Sequence, residues 1–228
     1  MEGTRLHFPL MSTPLRAVLF DLDGTLIDSI ALIVDGMHHA FEGFDGPRPT
    51  DAEWMLGIGT PLWIQLKVYG RNEAEVEMLR NKYRTFQLDH HDEYIKAYPG
   101  VAETLAVLET RGLAMALVTS KLEQLAKRNI EYTGIAKHFP LVVGVESTVN
   151  HKPDPEPVRY ALDKLGVSAD EAVFVGDSPH DVGAGNAAGV ATIAALWGPF
   201  TREQLSVARP RHWLSDIRAL PGLLETIQ

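Results

Sequence analysis

The sequence predicts a parallel α/β protein interrupted by a helical insert, and three observations carry that expectation. Short apolar runs of strand length recur along the chain, each followed by a stretch of helical character. One long early segment breaks this rhythm with helical patterns alone. Acids, hydroxyls and a lysine gather where the apolar runs end, the edge at which open α/β sheets bind ligands.

The strand-like runs are residues 17–20, 114–118, 141–145, 172–175 and 191–196. They are continuous rather than alternating and are bounded by Gly, Asp, Ser or Thr, the pattern of strands covered on both faces. Helices are expected over 101–110, 121–137 and 156–166. Leu122, Leu125 and Ile130 recur in the second, and Val158, Ala161, Leu162 and Leu165 share a face in the third, which Gly166 is placed to end. A glycine-rich helix over 183–189 is expected to pack close to a neighbour. Right-handed crossovers would set these helices on both faces of one sheet.

From residue 28 to about 96 no strand-like run occurs, and amphipathic patterns cover 30–41, 51–56, 62–69 and 73–90. About 70 residues is too long for a loop within a compact domain. The segment therefore predicts a small helical domain inserted after the first strand, with Pro99 and Gly100 punctuating the return. The expected division is a core of residues 12–27 and 97–228, a helical cap of residues 28–96, and a loose N-terminal extension of residues 1–11.

Composition narrows the function. A chain of 228 residues with 45% hydrophobic and 22% charged residues suits one domain or a domain with an insert. Lys and Arg total 21 against 30 Asp and Glu, a formal charge of -9 that supplies no broad nucleic-acid footprint. A small anion held by a local patch and a metal stays compatible with that balance. The absence of cysteine excludes disulfides, zinc–thiolate sites and a Cys nucleophile, and agrees with a cytoplasmic location. No run of about 18 apolar residues predicts a membrane span.

Four segments carry candidate chemistry. The first run leads into Asp21-Leu22-Asp23-Gly24-Thr25, two acids one residue apart, with a glycine that lets backbone amides face an anion. A plain turn with locally bonded acids would read the same way. The fourth run ends in Gly176-Asp177-Ser178-Pro179-His180-Asp181, where Asp177 or Ser178 could simply cap a helix. Two acidic clusters at neighbouring strand ends repel one another unless a cation intervenes, and an all-oxygen donor set suits Mg²⁺. Thr119-Ser120-Lys121 closes the second run, either as an ordinary cap or as a hydroxyl and free amides for phosphate oxygens. Lys152 lies beyond the third run, in a loop stiffened by Pro153, Pro155 and Pro157 that could aim it.

In their order along residues 16 to about 196, these segments resemble the haloacid dehalogenase-like hydrolase superfamily. The resemblance implies a Rossmann-like core of strand order 5-4-1-2-3 with a helical cap after the first motif. It also implies that Asp21 is the nucleophile forming an aspartyl-phosphate and Asp23 the general acid and base. Mg²⁺ would be held by Asp21, the main-chain carbonyl of Asp23 and Asp177, with Asp181 in support. Thr119, the Ser120 amide and Lys152 would grip the phosphoryl oxygens. An Asp two residues after the nucleophile argues for phosphoryl transfer, because dehalogenases and phosphonatases of the superfamily lack it.

The cap is expected to select the substrate. Gly57-Ile58-Gly59-Thr60-Pro61-Leu62 resembles the specificity loop of phosphoglycolate phosphatase-like members, which puts Gly57 and Thr60 among the substrate-binding candidates; a plain interhelical turn is the alternative. Lys67, Arg71, Arg80 and Arg84 suggest a solvated helix face from which one side chain could reach an anion. Adjacent residues on a helix point apart, so His90 and His91 are not expected to share a metal. Within the superfamily the chain looks like phosphoglycolate phosphatases and the inorganic pyrophosphatase branch, implying a small phosphorylated partner such as 2-phosphoglycolate or pyrophosphate. A sugar-phosphate mutase resembling beta-phosphoglucomutase and an inactive interaction module are the competing readings. Monomer and homodimer stay equally open.

Overall fold

The computed structural model describes residues 14–227, so the extension expected at 1–11 lies outside the described residues. The main sheet is built from β1 (Ala17–Phe20), β4 (Ala114–Val118), β5 (Leu141–Val143), β6 (Ala172–Gly176), β7 (Ala191–Ala195) and β8 (His212–Leu214). Two short strands, β2 (Ile27–Asp28) and β3 (Lys96–Ala97), form a separate antiparallel ribbon. In the main sheet every neighbour is parallel and the order is β5-β4-β1-β6-β7-β8. Counting the five expected strands alone, this is the order 5-4-1-2-3; β8 extends it by one edge strand. Three residues between polar neighbours give β8 no apolar run to signal it.

β1 occupies the centre and is buried on both faces. Its side chains alternate between two cores, Val18 and Phe20 on one side and Ala17 and Leu19 on the other. The first core is covered by α6 (Val101–Thr110), α7 (Glu123–Tyr132) and α11 (Leu220–Ile227), through Leu105, Ile130 and Leu224 among others. The second is covered by α8 (Glu156–Leu165) and α9 (Pro179–Ala188), through Val158, Ala161 and Ala184. In α8 the periodic residues Val158, Ala161 and Leu162 are buried, whereas in α7 Ile130 is buried and Leu122 and Leu125 are not among its buried residues.

Helix starts differ from expectation where the site imposes its own geometry. α7 begins at Glu123 because Leu122 is extended, with φ -58 and ψ 137. α9 begins at Pro179, ahead of the glycine-rich stretch, because Ser178 and Asp181 form a capping box there. β5 stops at Val143, where Gly144 opens a short 3-10 turn.

Between β2 and β3 lie α1 (Ile30–Phe41), α2 (Asp51–Leu56), α3 (Leu62–Leu66), α4 (Glu73–Asp89) and α5 (His91–Tyr94). They close around a core of their own that includes Met37, Phe41, Trp54, Leu66, Leu79 and Tyr83. Phe41 meets Phe44, Trp54 and Tyr69 edge-on, a favourable arrangement of ring quadrupoles. The outgoing and returning chains run side by side, with Ile27 opposite Ala97 and Asp28 opposite Lys96. A short α10 (Arg202–Ser206) packs against α9.

The glycine-rich α9 lies close on the sheet: a Cβ at Gly185 would collide with Thr192 Cγ2 and approach Phe174 Cδ1 to 3.3 Å. Helix propensity alone would make Gly185→Ala stabilising by about 1 kcal/mol. Overpacking of this contact is expected to reverse the sign, giving a net loss of about 1–3 kcal/mol in urea denaturation. A stabilised variant would show that the helix can lift from the sheet without cost.

Candidate active site

Parallel registry brings the strand ends together. Phe20 is level with Leu117 and Val175, and the Asp21 amide bonds to Val175 O at 2.9 Å just beyond the last paired residues. Asp21, Thr119 and Asp177 thus leave neighbouring strands at one edge of the sheet.

Lys152 is the electrostatic centre of this edge. Its ammonium is buried and lies 2.7 Å from Asp21 Oδ1, 2.6 Å from Asp181 Oδ1 and 3.0 Å from Val118 O. Burial opposes the charge on Lys152, but Asp181 and Asp21 outweigh it and hold the lysine pKa above its ordinary value. Asp181 is satisfied elsewhere too, since its Oδ2 accepts from the Ser178 amide at 2.9 Å and the Ser178 hydroxyl at 2.6 Å.

Asp177 is less well served. Its Oδ1 accepts from the Thr25 hydroxyl at 2.6 Å, while Oδ2 is buried without a hydrogen-bond partner. Gly24 passes directly over it with φ +83, in space that a side chain could not share. Asp21, Asp177 and Asp181 can bring carboxylate oxygens within 4.8 Å of one another, the one such cluster among the described residues. Burial, followed by repulsion from Asp181, raises Asp21 to about 7. Burial and repulsion from Asp181 and Asp21 likewise push Asp177 well above the usual carboxylate range. Three buried acids against one lysine, with an orphaned oxygen among them, form a donor set suited to a hard divalent cation.

Asp23 stands in different surroundings. Its Oδ1 accepts from Lys121 Nζ and from the Ser29 hydroxyl, both at 2.6 Å. Lys121, Ser29 and Thr25 were not assigned roles by sequence reasoning. Lys121 was visible two residues beyond a strand end, but nothing in the sequence shows which carboxylate it meets.

These acids face a cavity shared by the core and the helical insert. Asp21, Asp23, Thr119, Ser120 and Lys121 line one side, whereas Lys152, Asp177 and Asp181 are buried behind Asp21. Thr119 is buried, and its hydroxyl accepts from the Lys121 amide at 3.2 Å. The insert contributes Trp54, Thr60, Trp63, Arg80, Tyr83 and Arg84 to the other side. Arg80 pairs with Glu77, yet its Nε is buried without a partner. Burial and the neighbouring Arg80 charge lower the pKa of Arg84. Arg71 instead pairs with Asp45 and Glu75, and Lys67 lies over the Trp63 ring. The expected solvated face thus describes Lys67 and Arg71, while the arginines nearer the core turn into the cavity.

The loop between α2 and α3 touches the core. Gly59 O accepts from the Ser120 hydroxyl at 2.5 Å, and Ile58 is buried against Val182, Ala194 and Phe200. Thr60 lines the cavity, its hydroxyl donating to Gly57 O at 2.6 Å. Gly57 itself is not among the lining residues, and the space beside its Cα is filled by Gln65; Gly59, two residues on, lines the cavity. His90 bonds to Glu93, whereas His91 is buried between Asp92 and Asn129, so the two rings have different partners.

The family pattern described as haloacid dehalogenase-like hydrolase matches residues 18–195, most of the chain. The chain belongs to this family. It is accordingly an enzyme of the hydrolase class. Pyrophosphatase PpaX of Bacillus velezensis is 36% identical over 91% of this chain and 96% of its own length. A crystal structure of a predicted phosphatase from Clostridium acetobutylicum is 25% identical and superposes with a TM-score of 0.79, covering 94% of this chain and 99% of that one. A predicted phosphoglycolate phosphatase from Haemophilus somnus shares the fold at a TM-score of 0.84 and 24% identity, covering 92% and 98% of the two chains. No helix of the described residues is long and apolar enough to cross a membrane.

Gly59 has φ +98, and a Cβ there would sit 2.8 Å from Ser178 Oγ and 3.2 Å from His180 Cδ2. Gly59→Ala is expected to lower kcat/KM about tenfold, since the left-handed conformation alone costs about 1–2 kcal/mol for a side chain. The melting temperature should change little, because the strain falls on the seating of the loop. Unchanged kinetics would show that this contact does not matter for turnover.

Proposed function

We propose that the protein is a Mg²⁺-dependent phosphatase acting on a small phosphorylated substrate through an aspartyl-phosphate at Asp21. The observation that carries this reading is the pair Asp21 and Asp23. They lie one residue apart at the end of the central strand, both line one cavity, and their surroundings differ completely. Asp21 is backed by Lys152 and the acidic cluster, which fits it for covalent attack beside a cation; Asp23, tethered from one oxygen, fits proton transfer.

The orphaned Asp177 oxygen and the raised pKa of Asp21 fit a divalent cation. Mg²⁺ would be held by the Asp21 and Asp177 carboxylates and the Asp23 main-chain carbonyl. Both Asp181 oxygens already serve Lys152 and Ser178, so Asp181 supports the site from behind. A bound Mg²⁺ would supply positive charge that offsets repulsion between Asp21 and an incoming phosphoryl dianion.

In the first half-reaction an Asp21 oxygen attacks phosphorus, the bond to the leaving oxygen breaks, and Asp23 delivers a proton to that oxygen. In the second, Asp23 removes a proton from water, which attacks the acyl phosphate, releasing phosphate and restoring Asp21. Thr119 and Ser120 line the cavity with Asp21, which supports donation from the Thr119 hydroxyl and the Ser120 amide to the phosphoryl oxygens, where charge accumulates. Lys152 has its three N–H groups directed at Asp21, Asp181 and Val118 O, so its first task is to hold Asp21 in place. Arg80 and Arg84 on the opposite side favour a leaving group that is itself anionic, as in pyrophosphate or 2-phosphoglycolate, over a neutral sugar.

Asp21→Asn and Asp23→Asn are each expected to lower phosphate release at least about 100-fold while leaving a folded protein, measured on both substrates with Mg²⁺. Normal turnover by Asp21→Asn would refute covalent attack by that residue. Stability should also respond to pH in a definite direction. Asp21 is raised from 3.8 to about 7, so between those values the folded metal-free chain holds more protons than the unfolded chain and loses stability as pH rises. Mg²⁺ binds the ionised acids, so its effect on the melting temperature should be small at about pH 5 and large at about pH 8. Asp177→Asn removes one repelling charge and is expected to stabilise the metal-free protein by about 1–2 kcal/mol while abolishing the Mg²⁺ shift. An equal Mg²⁺ shift at both pH values would place the cation elsewhere.

A further inference from the structure

Lys121 is held from two sides. Its ammonium meets Asp23 Oδ1 at 2.6 Å, and behind it lies the buried side chain of Asn129 on α7. The Asn129 amide has one orientation in which both ends meet complementary groups. Its oxygen then accepts from Lys121 Nζ at 3.1 Å, and its nitrogen donates to Leu125 O at 3.1 Å and His91 Nε2 at 2.9 Å. His91 is also buried, and its Nδ1 lies 2.6 Å from Asp92 Oδ1. The ring is edge-on to Tyr132, whose hydroxyl donates to Asp92 O at 2.9 Å.

Donation therefore runs one way, from Lys121 to Asn129, from Asn129 to His91 and from His91 to Asp92. His91 and Asp92 belong to α5, the last helix before the chain returns through β3; Lys121 and Asn129 belong to the core. A buried amide and imidazole cost stability unless each polar atom is satisfied, and an apolar pair would fill the same space without that demand. What the polar pair adds is an acceptor fixed behind a lysine that would otherwise sample many rotamers.

We propose that Lys121 is a positioning residue for Asp23, and that the buried Asn129–His91 pair anchors Lys121, tying the placement of the acid to the seating of the returning chain. The inference rests on the phosphatase reading above, in which Asp23 protonates the leaving oxygen. Misplacing Asp23 then harms departure of a strongly basic alkoxide far more than departure of p-nitrophenolate, which leaves without a proton.

The test compares kcat/KM for p-nitrophenyl phosphate and for a simple alkyl phosphate, with Mg²⁺, in the full-length protein. Asn129→Leu is expected to lower the alkyl phosphate value about tenfold and the p-nitrophenyl phosphate value less than about threefold, a part of the full contribution of general acid catalysis. Lys121→Met should widen the split, and the double variant should be no worse than Lys121→Met, because Asn129 acts through Lys121. His91→Phe keeps a ring against Tyr132 and should reproduce the split in smaller measure. Should leucine not fit at position 129, Asn129→Ser removes the same amide. Equal losses on both substrates, or a double variant showing the product of the two single effects, would overturn the anchor. An unchanged ratio in His91→Phe would overturn the link to the returning chain. A wild-type enzyme that releases phosphate from neither ester, and from neither pyrophosphate nor 2-phosphoglycolate, would instead overturn the phosphatase reading, and the anchor with it.

Discussion

The ammonium of Lys152, enclosed between Asp21, Asp181 and the Val118 carbonyl, is the contact on which the arrangement of this sheet edge depends. Breaking a buried ion pair by removing one partner typically costs about 3–5 kcal/mol, because the remaining charge stays buried alone. Here one cation faces two carboxylates, with a third beside them, so its removal would leave the like charges to repel at short range. The same contact draws four chain segments together: the end of β1, the end of β4, the loop after β5 and the start of α9. It thereby fixes which face of Asp21 is turned to the cavity.

One lysine does not balance three acids, and the imbalance is structured. Asp181 has both oxygens bonded, Asp21 shares Lys152, and Asp177 keeps one oxygen with no partner. The unmet demand is therefore concentrated on the side of the cluster near Asp177 and Asp21, overlaid by Gly24. A chain with a formal charge of -9 is an unpromising receptor for an anion. A cation bound at that point would reverse the local sign beside Asp21, while the global charge stays negative.

Much of the fold was legible because burial on both faces leaves a plain mark: β1, β4 and the start of β6 are continuous apolar runs, and α8 shows its buried face at helical spacing. The helical insert was legible by length and by the absence of such runs. What escaped was structure held by few residues or by polar contacts. β8 is a three-residue edge strand, and β2 and β3 have two residues each, too short for any periodicity. At the sheet edge, the gathering of Asp21, Asp23, Thr119, Ser120, Lys152, Asp177 and Asp181 was legible because each follows a strand-like run. Lys121 and Asn129 were not, since a lysine opening a helix and an asparagine within one are commonplace, and only folding sets them 3.1 Å apart. Gly57 and Gly59 are both turn glycines in sequence, and only folding shows that Gly59 borders the cavity and approaches Ser178 and His180.

Two carboxylates separated by one leucine are chemically alike in an unfolded chain, and the fold makes them different. The alternation of β1 continues past its last residue, so Asp21 and Asp23 both line the cavity while Leu22 enters the core with Val18 and Phe20. Asp21 follows a fully buried strand and meets a buried lysine, which commits it to the cluster. Asp23 lies where the chain turns toward the insert, and its partners, Lys121 and Ser29, come from the rim of the cavity. Divergent surroundings are how paired acids acquire separate roles in one site. Ser29 precedes α1, the first helix of the insert, and the anchor behind Lys121 reaches α5, the last. Both chain crossings thus bear on the same carboxylate, that of Asp23, whereas Asp21 and its cluster belong wholly to the core.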